Sequence, residues 1–293
     1  MTRTRREELA GYAFVSPWIV GFTVFLLYPL TASLYFAFCD YSVLRPPIWT
    51  GLDNFNTLIH DDVFWTTLKN TIFYTFLSLP LGLVVALGLA MLLNLKIKGM
   101  AFYRTIFYLP SLVPLVASAV LFLWLFDSDH GFINQVLAAI RIEGPGWLTD
   151  SSWSKITLIL ISMWGVGNTM IIYLAGLQEV PQSLYEAADV DGAKPWTKTW
   201  AVTLPLLSPI LFFNLIIGIV GSIQIFTLPY IMFPGGAPAR STYFYTAYLY
   251  DNAFKYHNMG YACAMGWIMF LIILACTLIA QRFSAKHVYY GGG

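Results

Sequence analysis

The residues best spaced to act on another molecule lie between two apolar stretches, from Glu179 to Pro205. Glu186-Ala187-Ala188 is followed after three residues by Gly192, after nine more by Val202, and after one more by Leu204-Pro205. Leu184, Ala187, Ala188 and Asp191 recur at the i, i+3, i+4, i+7 spacing of one helix face, and Pro181 suits the first turn of such a helix. Gly192 permits the left-handed turn that ends it. Pro195 starts a second short helix, which Pro205 is expected to close. The chemistry on offer is recognition. The alanines at 187 and 188 leave a shallow face against which another protein can press, and Glu186 presents a charge to it. Catalytic chemistry has less to work with. His60, His130, His257 and His287 are scattered and have no carboxylates spaced to match them. Cys39, Cys263 and Cys276 lack metal-ligand spacing and cannot all pair, so they read as packing residues and no metal site is expected. No G-x-x-x-x-G-K-[ST] occurs, so the chain has no P-loop for ATP.

The elements that carry this loop are set by composition. Of 293 residues 58% are hydrophobic and only 11% charged, against about a quarter charged in soluble domains. Such a chain cannot coat a soluble globule, and its apolar excess must face lipid. A net charge of +1 gives no field to attract nucleic acid. Six uncharged stretches are long enough to cross about 30 Å of hydrocarbon: residues 16–38, 70–93, 106–126, 156–178, 206–229 and 259–281. The first follows Arg3, Arg5 and Arg6 but is longer than the apolar region of a signal peptide, so it reads as a retained helix. Termini and even loops hold ten basic residues in 66 positions, the odd loops six in 89. Both termini are therefore expected in the cytoplasm. The outer loops are too short for separate domains and read as lids and docking surfaces. Trp49, Trp65, Trp147, Trp153 and Tyr256 are expected at headgroup level.

Inside the spans, Gly82, Ala86 and Ala90, and Gly218 with Ser222, have the spacing that lets helices approach closely. Gly165, Gly167 and Asn168 in the fourth span and Gly221 and Gln224 in the fifth are harder to assign to packing. Polar and helix-weakening residues at that depth cost free energy unless they face a cavity or a partner.

The Glu186 to Pro205 pattern resembles the EAA motif of ABC importer permeases, EAA-x3-G-x9-I-x-LP, with Val202 in place of the usual Ile. Gly51-Leu52-Asp53-Asn54-Phe55, Phe64-Trp65, Asn70-Thr71, Arg104-Thr105, Leu109-Pro110 and Gly235-Gly236-Ala237-Pro238 are similar to carbohydrate-type permeases. Among these the chain looks like the first subunit of heterodimeric pairs in the maltose and glycerol-phosphate group, without the larger form of the enteric maltose subunit. The resemblance implies an all-α, multi-pass plasma-membrane protein, with residues 1–293 forming one permease domain of the type I (MetI-like) fold. It implies a sugar or oligosaccharide substrate, a second homologous permease, two ATPase subunits and an extracytoplasmic solute-binding protein. ATP and Mg would bind only the ATPase. The resemblance assigns coupling to Glu186, Ala187, Ala188, Asp189, Asp191, Gly192, Leu204 and Pro205. It also has the fourth and fifth spans line the cavity, which nominates Trp164, Gly165, Asn168, Gly218, Gly221, Ser222 and Gln224 for the substrate pathway. The competing reading is an ion-coupled secondary transporter, but its usual intramembrane carboxylates, histidines or arginines are missing from all six stretches. A membrane enzyme would need a cluster of acids, bases or metal ligands that the sequence does not offer.

Overall fold

The computed structural model describes residues 3–95 and 97–284. Lys96, Lys286 and His287, used in the reading above, lie outside the described residues. In chain order the helices are α1 (Arg3–Phe22), α2 (Tyr28–Phe36), α3 (Asp53–Ile59), α4 (Asp62–Leu93), α5 (Met100–Tyr108), α6 (Leu115–Leu125), α7 (Phe132–Ala139), α8 (Ser151–Trp164) and α9 (Gly167–Glu179). They continue as α10 (Gln182–Val190), α11 (Pro195–Lys198), α12 (Leu204–Ile223), α13 (Thr227–Met232), α14 (Tyr245–Tyr250) and α15 (Met259–Ser284). Four continuous stretches, Ala10–Phe36, Asp62–Leu93, Pro195–Met232 and Met259–Ser284, are long and apolar enough to cross a membrane. Two bent pairs raise the number to six if each pair is one span.

Three expectations change. The third span is not straight, because α5 with its 3-10 extension meets α6 at 98°. Pro114 forces Val113 into extended backbone (ψ 129°), and Leu115 starts a new helix. Pro205 does not close the second short helix of the Glu179 to Pro205 loop. α11 runs through a π-helical turn, Thr199–Thr203, straight into α12, whose second residue is Pro205. The widened turn, in which the Leu204 N–H bonds to Thr199 O, accommodates the proline ring and its missing donor. The same arrangement joins α1 to α2, where the π turn Thr23–Leu27 immediately precedes Tyr28-Pro29. Finally, Trp147 is buried in protein and presents no open face to headgroups. It is 8% exposed, stacks edge-on against Phe126 and Trp153, and donates from Nε1 to Asn134 Oδ1 at 2.7 Å.

The chain divides into two compact units. In residues 1–61 with 249–271, a two-residue antiparallel ladder pairs Cys39 with Trp49 and Asp40 with Ile48. Asn54 Nδ2 donates to the carbonyls of Ala37 and Cys39 at 3.0 and 2.9 Å. The Gly260 N–H bonds to Tyr41 O, and a Cβ at Gly260 would collide with the Cys39 carbonyl. Cys39 is fully buried, in keeping with a packing role. Tyr261 donates to Asp61 Oδ2 at 2.7 Å.

In residues 62–248 with 272–293, α4 is the central element and packs on α8, α9 and α12. Ala86 and Ala90, fully buried, join Met170, Tyr173, Leu174, Leu177 and Leu207 in one apolar cluster, so these two small residues act as packing residues. Arg104 donates from Nε and Nη2 to Leu93 O, capping the C-terminal end of α4 with a cation. In the loop after α6, Asp127 Oδ1 accepts the backbone N–H of His130 at 2.7 Å and of Asp129 at 3.1 Å. These bonds, the His130 one first, hold its carboxyl below the ordinary range.

Near the start of α4, Asn70 works as a staple. Its Nδ2 donates to Arg240 O at 2.9 Å and Tyr243 O at 3.0 Å, while its Oδ1 accepts from Lys155 Nζ at 3.2 Å. Beside it, Thr71 Oγ1 accepts the Tyr245 N–H and donates to Thr67 O. One amide thus serves two loop carbonyls and an ammonium in a place where water is scarce. Asn70→Leu is expected to lower stability by about 1–3 kcal/mol, since buried carbonyls lose their donor. Thermal unfolding of the purified protein in detergent checks this, and an unchanged midpoint would show that the staple carries no load.

Candidate functional site

Two adjoining cavities open where the fourth span breaks. α8 ends at Gly165, α9 begins at Gly167, and the two helices meet at 45°. At Gly167 an added Cβ would lie 2.9 Å from Phe107 O and 3.1 Å from Ser111 Oγ, so only glycine lets α9 start this close to the neighbouring turn. On one side of the break lies a cavity of about 410 Å³ lined by Trp164, Gly165, Asn168, Ser111, Ser118 and Phe122 among others. Trp164 is fixed there by an edge-on contact with Phe122, ring centroids 5.2 Å apart. On the other side lies a cavity of about 370 Å³ lined by Gly165, Gly218, Gly221, Ser222, Tyr74, Ser78, Thr169 and Asn214 among others. Ser162 and Gly165 line both.

Six of the seven residues nominated for the pathway therefore line one cavity or the other. Gln224 lines neither. It is the exposed C-cap of α12, its backbone N–H bonded to Val220 O. Gly218 also serves packing, since a Cβ there would collide with Leu79 Cδ1. Sequence reasoning missed Tyr74, Ser78, Ser162, Thr169 and Asn214. The signal was present as hydroxyls and an amide inside uncharged runs, with Tyr74 and Ser78 at i, i+4 on one helix face. Neither cavity has a charged residue in its lining. Hydroxyls, amides and aromatic faces without formal charge suit a neutral solute that is polar at its edges and apolar on its faces. A third cavity, of about 470 Å³, is walled mainly by Leu83, Leu87, Leu211, Leu215 and Phe283 and offers such a solute few partners. Among the described residues no three His, Cys, Asp or Glu side chains gather as metal ligands.

The loop from Glu179 to Pro205 has a defined shape. α10 contains no buried residue, Glu186 and Ala187 are exposed, and Ala188 is half-buried. Only the first alanine of the pair therefore lies on the fully open side. The helix ends in a Schellman turn: Gly192 N–H bonds to Asp189 O and Ala193 N–H to Ala188 O, with Gly192 at φ +69°. A Cβ at Gly192 would meet nothing within 4 Å, so the glycine is required by torsion alone. Asp191 is the exposed C-cap. Asp189 is ion-paired with Lys198. Leu204 and Pro205 open α12, which continues to the second cavity at Asn214, Gly218, Gly221 and Ser222.

Known proteins share this architecture along its whole length. A probable ABC transporter permease protein, YesP, from Bacillus subtilis (strain 168) is 42% identical over 290 residues, covering 98% of this chain and 94% of the relative. The lactose transport system permease protein LacF of Rhizobium radiobacter is 34% identical over 288 residues, covering 96% of each. A chain in the crystal structure of the bacterial alginate ABC transporter, in complex with an alginate pentasaccharide-bound periplasmic protein, superposes with a TM-score of 0.84. It is 26% identical and 96% of each chain is covered. These relatives are permease subunits, not enzymes. Residues 63–288 match the family model described as the inner membrane component of binding-protein-dependent transport systems, and the chain belongs to that family, as a multi-pass permease of the inner membrane.

Proposed function

We propose that this permease forms half of the translocation pathway of an ATP-driven importer for a neutral sugar or oligosaccharide, coupled to a separate ATPase through α10. One observation carries the reading: the exposed helix bearing Glu186 is joined, through the Gly192 turn and an unbroken α11–α12 helix, to the wall of an uncharged polar cavity. A push on α10 thus has a direct path to the residues that would touch solute. Two of the relatives named above handle saccharides, and the cavities' lack of charge favours a neutral one. A second permease would complete the pathway, two ATPase subunits would bind ATP and Mg, and a solute-binding protein would deliver substrate from outside. The Lys/Arg distribution supports cytoplasmic termini, which puts α10 on the ATPase side. Transport then proceeds by rigid-body rocking between two packed arrangements.

The absence of a P-loop motif gives the first test. In liposomes this chain alone should hydrolyse no ATP, and uptake should require the ATPase. Solute uptake driven by a sodium or proton gradient with this chain alone would overturn the proposal.

Within the cavities, Asn168→Leu and Ser222→Ala should lower uptake while leaving assembly and basal ATP hydrolysis intact. Each lost hydrogen bond to a neutral solute is worth about 0.5–1.5 kcal/mol, roughly two- to twelvefold in affinity. Unchanged uptake in the double variant would reassign both residues to packing.

At the loop, Glu186→Gln should weaken ATPase binding through loss of a charge-assisted bond worth about 1.5–3 kcal/mol. Gly192→Ala should cost on the order of 1 kcal/mol, and Gly192→Val more, because φ +69° is strained for L-residues and most for β-branched ones. Co-purification of the ATPase and reconstituted uptake report both effects. Wild-type values for Glu186→Gln and Gly192→Val together would remove this loop from coupling.

A further inference from the structure

Between α10 and the base of α12 the chain passes through only Asp191 to Lys194, and the Cβ position of Gly192 touches nothing. Such a connection would bend under load if the backbone were all that held it. Two side-chain pairs bridge it. Tyr185 Oη and Thr203 Oγ1 are 2.9 Å apart, and Lys198 Nζ is ion-paired with Asp189 Oδ1. On α10, residues 185 and 189 are one turn apart and share a face. On the partner element, residues 198 and 203 are five apart, and the π-helical turn Thr199–Thr203 brings them to one side. Thr203 Oγ1 lies 3.4 Å from Lys198 O, consistent with that alignment. The α11–α12 half of the clamp is covered: Thr203 is 5% exposed and the Lys198 side chain 19%. Val190, next to Asp189 in sequence, is 88% exposed.

We infer that Tyr185, Asp189, Lys198 and Thr203 are positioning residues that make α10 and the root of α12 one rigid body, so that displacement of α10 reaches the cavity wall. This rests on the coupling proposal and revises one part of it: Asp189 faces its own chain, not the ATPase. Stability is not the purpose of the ion pair. Its carboxylate side chain is 65% exposed, and ion pairs so placed contribute little to folding. Their use here is geometric, fixing the direction in which Glu186 points.

The test uses the full importer, reconstituted with its ATPase, second permease and binding protein, and reads solute imported per ATP hydrolysed. Tyr185→Phe with Asp189→Asn should lower that ratio severalfold while the ATPase still co-purifies and hydrolyses ATP. Reversing the pair, Asp189→Lys with Lys198→Asp, should restore much of the ratio that Asp189→Lys alone loses. A merely structural role would move the thermal midpoint and not this ratio. A wild-type ratio in the Tyr185→Phe, Asp189→Asn variant, alongside a defect in Gly192→Val, overturns the clamp and leaves the coupling proposal standing. Loss of ATPase co-purification in Asp189→Asn also overturns it, because Asp189 would then contact the ATPase directly. Wild-type behaviour in Glu186→Gln, Gly192→Val and the clamp variant together overturns both.

Discussion

A backbone amide in hydrocarbon has no water to turn to, and each break in a spanning helix must be covered by protein or must line a cavity. Three places in the inner spans meet that constraint. The α8–α9 break at Gly165 opens directly onto both polar cavities. The turn before α6 lies against the start of α9, where Gly167 allows the approach. At the start of α4, Asn70 supplies the donors that the carbonyls of Arg240 and Tyr243 would otherwise lack. The break at Gly165 thus lies beside the cavities, and under the proposed function the polar groups that would be a cost in lipid would serve there as binding partners for a solute.

Two of the three π turns among the described residues belong to the same logic. Each widens a helix just ahead of a proline, at Thr23–Leu27 before Pro29 and at Thr199–Thr203 before Pro205. A proline read alone in a sequence signals a stop. With one residue inserted ahead of it, the helix carries on, and the inserted residue rotates everything upstream around the axis. In the second case that rotation brings Lys198 and Thr203 together beneath α10.

Much of the architecture was legible in the sequence because lipid imposes long uncharged runs, and the six runs recur as four continuous and two bent helical spans. The Gly192 turn was legible too, since few other residues tolerate φ +69°. What could not be read depended on contacts distant in sequence. Trp147 looks like any interfacial tryptophan until Asn134 and Phe126 are seen around it. Asp189, though exposed, is ion-paired with Lys198, nine residues further on, on an element whose register the sequence did not announce. Gln224 fell outside the cavities because, as the C-cap of α12, it is exposed, while its neighbour Ile225 lines one of them. Tyr74 and Asn214 escaped notice because single polar groups in apolar runs are common. Only their convergence on one cavity distinguishes them.

The helix from Pro195 to Ile223 is unbroken across 29 residues, about 43 Å at 1.5 Å per residue. Under the proposed coupling it would act as a lever arm, with α10 at one end and Ser222 near the other. A tilt of about 10° at the base would sweep the far end through roughly 7 Å, more than the width of a pyranose ring seen edge-on. A modest rotation at the base would thus be amplified into a displacement on the scale of a sugar, with no need for any residue along the arm to change its own conformation.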